Sequence, residues 1–332
     1  MTSAGPQPSA PHPDSDPAAE PESALEPALA TALEPVVPAG WPPPGTRFHR
    51  LGPTVGRGRW WAAATALVGV SMLEADLAGL SLVIDRLPAG GLPVLGGWTQ
   101  SVVHLAAIGV LAPVVLVLAG PGQRRPAGRV WSVTGRPRWA LLAHSVVVAL
   151  VLFVLVRFVV LHLPLAGLDR WVGWPAFAGP FAALLLVLAG QVVAEEVLFR
   201  GLVMQAVGGF FASPWPPVVV QAGLWTVVHW PSGLWGAVNV ASVGLILGAV
   251  TVRTGGLQIA VAAHLAWNTV TYGLLVAFYP PPTGRASTDQ NMGDLPAALA
   301  TFDLALVAAA VYLIYLWAID HNLAPTSEVE AR

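Results

Sequence analysis

The sequence predicts an all-α, polytopic membrane helix bundle of about eight transmembrane helices. Of its 332 residues 55% are hydrophobic and only 10% charged, and the mean hydropathy is +0.66, which places the chain among membrane proteins before any motif is read. Its apolar residues gather into eight runs long enough, or nearly so, to cross about 30 Å of hydrocarbon as helices. Turn residues separate the runs.

The runs lie near 60–84, 98–119, 139–163, 178–206, 216–231, 234–253, 257–278 and 298–319. Each boundary has its own breaker: Pro88 to Pro93, Pro121 with Pro126, Pro164 to Pro175, Pro214 to Pro217, Gly255-Gly256, and Pro280 to Pro282. The fifth run is short, so it is expected to be tilted, re-entrant or extended beyond the bilayer. Residues 1–58 are rich in Pro, Ala, Glu and Ser without apolar period, and read as a disordered Pro/Ala-rich tail. They lack the basic start and apolar stretch of a signal peptide.

Charge then orients the bundle. With the tail inside, the cytoplasmic ends receive Arg47, Arg50, Arg57, Arg59, Arg124, Arg125, Arg129, Arg136, Arg138 and Arg253, while the outside receives Arg86, Arg170 and Arg285. The positive-inside rule selects this topology, with both termini cytoplasmic. The net charge of -2 hides an arginine pattern that concerns topology, so no nucleic-acid partner is expected. There is no lysine, and there is no cysteine to form a disulfide, a thiol nucleophile or a thiolate metal site. Fourteen tryptophans, several at run ends such as Trp60, Trp61, Trp98 and Trp171, fit an interfacial belt.

Ionisable residues inside such runs demand an explanation, because each costs about 2.5–3.5 kcal/mol near the bilayer centre and must face protein or water. The fourth run contains Glu195-Glu196-Val197-Leu198-Phe199-Arg200. Glu196 and Arg200 are four apart and can pair one turn from each other, in the favourable acid-before-base order. Glu195 is rotated about 100° from that pair and shares a face with Gln191 and Phe199. The spacing divides labour: Glu196 with Arg200 as an internal ion pair, Glu195 left free for chemistry. A purely structural polar cluster is the other reading.

Two further runs each bring a histidine. His229 closes Trp225-Thr226-Val227-Val228-His229, and His264 lies one turn before Asn268 in His264-Leu265-Ala266-Trp267-Asn268. Taken singly, either histidine reads more readily as one bonded to a neighbouring carbonyl. With Glu195 they supply the parts needed to activate a water and to hold the oxyanion it creates at a carbonyl. Glu195 and His264 lie at similar depth, whereas His229 reaches that level only if the fifth helix is short or tilted.

Glu-Glu-x-x-x-Arg, an aromatic-x-x-x-His and His-x-x-x-Asn on successive membrane helices resemble the CPBP family of intramembrane proteases, which includes type II CAAX prenyl endopeptidases and Abi proteins linked to bacteriocin immunity. The likeness spans about 180 to 275. It implies that Glu195 is the catalytic glutamate, that His229 helps it activate water, and that His264 and Asn268 stabilise the tetrahedral oxyanion. Glu196 and Arg200 match motif positions for which the ion pair supplies a role. Trp225 departs from the pattern, since the family usually has phenylalanine there; an aromatic packing wall is expected to survive, with a narrower substrate cleft.

On this reading residues 59–177 are N-terminal transmembrane helices, 178–279 a catalytic core of CAAX protease type, and 280–332 the last helix and a short tail. The expected activity is an intramembrane endopeptidase acting on membrane-associated protein or peptide substrates, with the lipid bilayer as its other partner. Glu195, His229 and His264 also form a competent zinc set with water as fourth ligand, and a metal-free glutamate mechanism uses the same side chains. The rival is a non-catalytic membrane immunity factor or chaperone of the Abi type; a proton-coupled transporter is a third reading.

Other proteolytic chemistries lack their residues. There is no His-Glu-x-x-His and no Gly-x-Gly-Asp, and Ser232 in Trp230-Pro231-Ser232-Gly233 lacks the leading glycine of a rhomboid motif and reads as a turn serine. Glu74 and Asp76 are two apart and face different ways, which suits a helix end or cavity rim. His104, His144, Arg157 and Asp303 are further polar residues within runs. Asn239 lies between the two histidine helices, where it would line the site or bond a neighbouring helix.

Overall fold

The computed structural model describes residues 1, 5, 43–53, 56–88, 91–123, 125–162, 168–229, 231, 233–279, 297–321 and 326–327. Eight principal helices follow in order: α1 Gly56–Ile84, α2 Thr99–Ala119, α3 Trp139–Phe153, α4 Trp174–Glu196, α5 Trp215–Val228, α6 Gly233–Thr254, α7 Gln258–Phe278 and α8 Ala297–Asp320. Two run on as π-helical stretches, α3 through Val154–His162 and α4 through Val197–Val203, the latter ending in the short helix Met204–Gly208. Among the described residues only isolated β-bridges occur, with no strand. Among the described residues six helices are long and apolar enough to cross a membrane, and Trp215–Val228 and Leu304–Asp320 are shorter. This is a polytopic helical membrane protein.

Lipid solvates the outside of such a bundle, so apolar side chains appear on both surfaces of each helix. Leu67, Val110, Val147, Leu186, Leu234 and Tyr312 are exposed on the periphery, while Val192, Leu198, Leu202, Leu247 and Ile259 are fully enclosed. With no hydrophobic force between helices in lipid, close backbone approach supplies much of the packing. α2 and α4 pack extensively at Gly109 and Gly190, where a Cβ on Gly190 would lie 3.5 Å from the Gly109 Cα. α4 also packs on α7, α5 on α6, and α7 on α3. The glutamate helix is thereby held between α2 and α7.

Prolines and glycines place the ends. α4 starts after Gly173, whose φ of +83° suits a residue without a Cβ, and has proline in its first turn. α6 ends at Gly255, φ +66°, and α7 begins at Gln258. α5 starts after Pro214 and spans 14 residues, about 21 Å at 1.5 Å per residue. That is shorter than the hydrocarbon is thick, and His229, which caps its C-terminal end, is half-buried.

Within the stretch read as a tail, most of 1–58 lies outside the described residues, and 43–53 are packed. Phe48–Arg50 form a 3₁₀ turn with Phe48, His49 and Leu51 buried. His49 Nε2 donates to the Ala212 carbonyl at 3.1 Å, and Gly208 lacks the Cβ that would strike the His49 carbonyl. Burial pushes the His49 imidazole below its usual range. Phe48 and Leu51 are too few apolar residues to show a period, which is why the sequence hides this turn.

Both chain ends meet on this side. Gly45 donates its N–H to the Ser327 carbonyl at 2.8 Å and Ser327 returns a bond to Thr46 at 3.0 Å. Nearby, Arg125 is buried without an acidic partner among the described residues and donates to the Ala119 and Leu51 carbonyls and to Gln205; burial lowers its guanidinium to about 9. Below that value it is a cation solvated by protein carbonyls.

Candidate active site

Glu195 and Glu196 sit in the last turn of α4, immediately before the π-helical stretch. Widened turns of this kind recur at functional sites. Glu195 is 5% exposed, and Glu196 and Arg200 are 0% exposed. Lipid reaches none of these charges.

The Glu196–Arg200 pair exists as the spacing predicts, with Arg200 Nη1 donating to Glu196 Oε1 at 3.0 Å. The same oxygen accepts His264 Nδ1–H at 2.9 Å. Glu196 is therefore not confined to a structural pair: it grips the histidine of α7 and fixes which ring nitrogen points onward. Sequence alone gave it no such partner, because His264 is 68 residues away.

With Nδ1 committed to Glu196, His264 presents Nε2 to Glu195 Oε2 at 4.0 Å. His229 is arranged in parallel. Its Nδ1–H donates to the Trp225 carbonyl one turn earlier at 2.6 Å, and its Nε2 faces the same Glu195 oxygen at 3.8 Å. Both gaps exceed direct hydrogen-bond length and suit a small shared ligand such as a water. The short α5 resolves the depth problem, because His229 ends the helix beside Glu195.

Glu195 is held from two sides. Gln191, one turn earlier, donates Nε2–H to Oε1 at 2.5 Å, and Trp225 on α5 donates its indole N–H to Oε2 at 3.0 Å. Asn268 joins through Gln191, donating Nδ2–H to its Oε1 at 3.0 Å. A carboxamide has two N–H groups, so one remains beyond that bond. Glu195, His229, His264 and Asn268 are thus brought into one neighbourhood, with His229 and Asn268 half-buried at its rim.

Two participants exceed what the sequence suggests for them. Gln191 does more than share the Glu195 face, and a carboxamide four residues from a buried carboxylate is itself the signal for it. Trp225 is more than a packing wall. It is also a hydrogen-bond donor to Glu195, which phenylalanine is not, and its ring carries the Arg200 guanidinium 4.5 Å from its centroid.

The remaining polar residues have the following places. His144 stacks on Trp317 with ring centroids 3.9 Å apart, Arg157 donates to Thr271, and Asn239 is buried in α6. Ser232 and the side chain of Asp303 lie outside the described residues.

As a zinc set the donors fit poorly. Zinc bonds of 2.0–2.1 Å put tetrahedral ligands about 3.3–3.4 Å apart, whereas the two Nε2 atoms lie 3.8 and 4.0 Å from the carboxylate oxygen. Among the described residues no group of three or more His, Asp or Glu is placed to hold a metal. No step is therefore routed through one.

Comparison with known proteins meets the same segment. Residues 177–270 match the family described as type II CAAX prenyl endopeptidase Rce1-like. The chain is 25% identical over 185 residues to the uncharacterized protein YyaK of Bacillus subtilis (strain 168), covering 53% of this chain and 60% of that relative. The chain thus spans less than two thirds of the relative's length. No solved structure matches significantly. The family likeness carried by Glu195 to Arg200, Trp225 to His229 and His264 to Asn268 holds over the residues that carry it.

Proposed function

We propose, with the likeness of residues 177–270 to type II CAAX prenyl endopeptidases as premise, that this protein is an intramembrane endopeptidase that hydrolyses membrane-associated substrates with water activated by Glu195. One observation carries the reading: two imidazole Nε2 atoms, of His229 and His264, face one carboxylate oxygen of Glu195 at 3.8 and 4.0 Å inside the bundle. That is a base with a place for its water.

Glu195 accepts a proton from water as the water oxygen bonds to the substrate carbonyl carbon and the carbonyl electron pair moves onto oxygen. His229 Nε2 helps hold the water. His264, its ring fixed by the Nδ1 bond to Glu196, offers Nε2–H to the oxyanion. The free N–H of Asn268 is a second donor. Collapse breaks the C–N bond, and the proton on Glu195 passes to the leaving amine.

The protein sits in the cell membrane with both termini cytoplasmic, and substrates enter from the bilayer or its inner face. The test incubates purified protein with a library of membrane peptides, farnesylated CAAX peptides among them, with and without chelator, and locates cleavage by mass. Cleavage that falls about 10²–10⁴-fold in Glu195→Gln, and comparably in His264→Ala, is expected, as for loss of a general base or an oxyanion donor. A chelator-sensitive activity restored by zinc would replace the metal-free scheme. A folded wild type that cleaves nothing, and whose cellular function survives both substitutions, would leave the non-catalytic immunity or chaperone reading.

A further inference from the structure

Glu195 has two oxygens, and each already receives one N–H: Oε1 from Gln191 on its own helix, Oε2 from the Trp225 indole on α5. A donor from the same helix moves with the glutamate. A donor from a second helix ties the carboxylate to the rest of the site, because α5 also carries His229.

The indole is itself immobilised. It is 4% exposed, the Arg200 guanidinium lies over its face at 4.5 Å, and His229 meets it edge-on with ring centroids 4.5 Å apart. On its other flank is Gly244 of α6, where even a Cβ would come within 3.0 Å of the ring. A planar donor clamped on three sides has one direction in which to offer its N–H.

We propose that Trp225 is a positioning residue for the base: its indole N–H holds Glu195 Oε2 at the spacing from His229 and His264 that a water needs. The claim rests on the peptidase reading and deepens it. Without the indole N–H, only Gln191 restrains the carboxylate, which is then free to turn and close directly onto an imidazole, occupying the place of the water. A charge-assisted hydrogen bond is among the stronger contacts a side chain makes, and displacement of a reacting group by a fraction of an ångström is felt in kcat.

The experiment has two arms on the full chain in detergent micelles. The first follows the Trp225 indole N–H resonance in ¹⁵N-labelled protein, assigned by its loss in Trp225→Phe. It is expected downfield of a free indole and to move upfield in Glu195→Ala. The second measures cleavage of the best peptide from the library by Trp225→Phe and by protein carrying benzothienylalanine at 225, which keeps the bicyclic shape and replaces N–H by sulfur. Both are expected to lose about tenfold in kcat, the scale of one such bond, with KM and thermal midpoint near wild type.

A resonance that ignores Glu195→Ala overturns the proposal, as does wild-type or higher kcat in both replacements. Loss in Trp225→Phe with full kcat in the benzothienyl protein also overturns it, because ring shape alone would then be the cause. If the wild type cleaves nothing, the peptidase reading and the catalytic half of this claim fall together. The resonance still decides whether the indole holds the carboxylate.

Discussion

Glu196 is the residue on which most of the cluster leans. Its Oε1 accepts Arg200 and His264 together at 3.0 and 2.9 Å, with Glu196 and Arg200 wholly enclosed. Attraction within such a pair offsets the cost of removing both charges from water, so loss of one partner leaves the other uncompensated. Glu196→Gln is expected to destabilise the protein by about 3–5 kcal/mol, read as a lowered thermal midpoint in detergent. It is also expected to free the His264 ring, so activity falls further than stability explains. The ion pair was legible from four-residue spacing. The grip on His264 was not, because helical periodicity relates neighbours one turn apart and says nothing of a side chain on another helix.

Among the elements, α5 and α6 decide whether the site assembles. Gly244 and Gly248 of α6 face α5: a Cβ on Gly244 would meet the Trp225 ring at 3.0 Å and Ala222 at 3.1 Å, and Gln221 bonds the Gly244 carbonyl at 2.9 Å. Small residues four apart let two helix backbones approach. Gly244→Val should cost about 1–3 kcal/mol by overpacking and push the indole off Glu195. The expected result is a kcat deficit at least as large as that of Trp225→Phe, measured with folding checked by gel filtration. The positions of α5 and α6 followed from prolines and apolar runs. That α5 ends where His229 meets Glu195 depended on where it packs.

For the molecule as a whole, the termini report topology. The backbone of Gly45 and Thr46 pairs with Ser327, so these two segments lie on one face. The chain has no cysteine, which makes labelling direct. Pro44→Cys and Thr326→Cys should react with an impermeant maleimide only from the cytoplasmic face, and Asp169→Cys only from outside. Labelling of the two terminal cysteines from opposite faces would contradict the fold; labelling of both from outside would reverse the orientation argued from arginine.

Membrane class, helix order and the chemistry-bearing motifs were determined by the sequence alone, because transfer free energy and helical period act residue by residue along the chain. Only the tertiary structure decided that Glu195 would meet His229, His264 and the Trp225 indole, that Glu196 would hold His264, and that residues 43–53 would pack against Met204–Gly208. Those contacts join residues 30 and 68 positions apart, as Trp225 to Glu195 and His264 to Glu196. They arise from where glycine faces let helices touch, which no local pattern encodes.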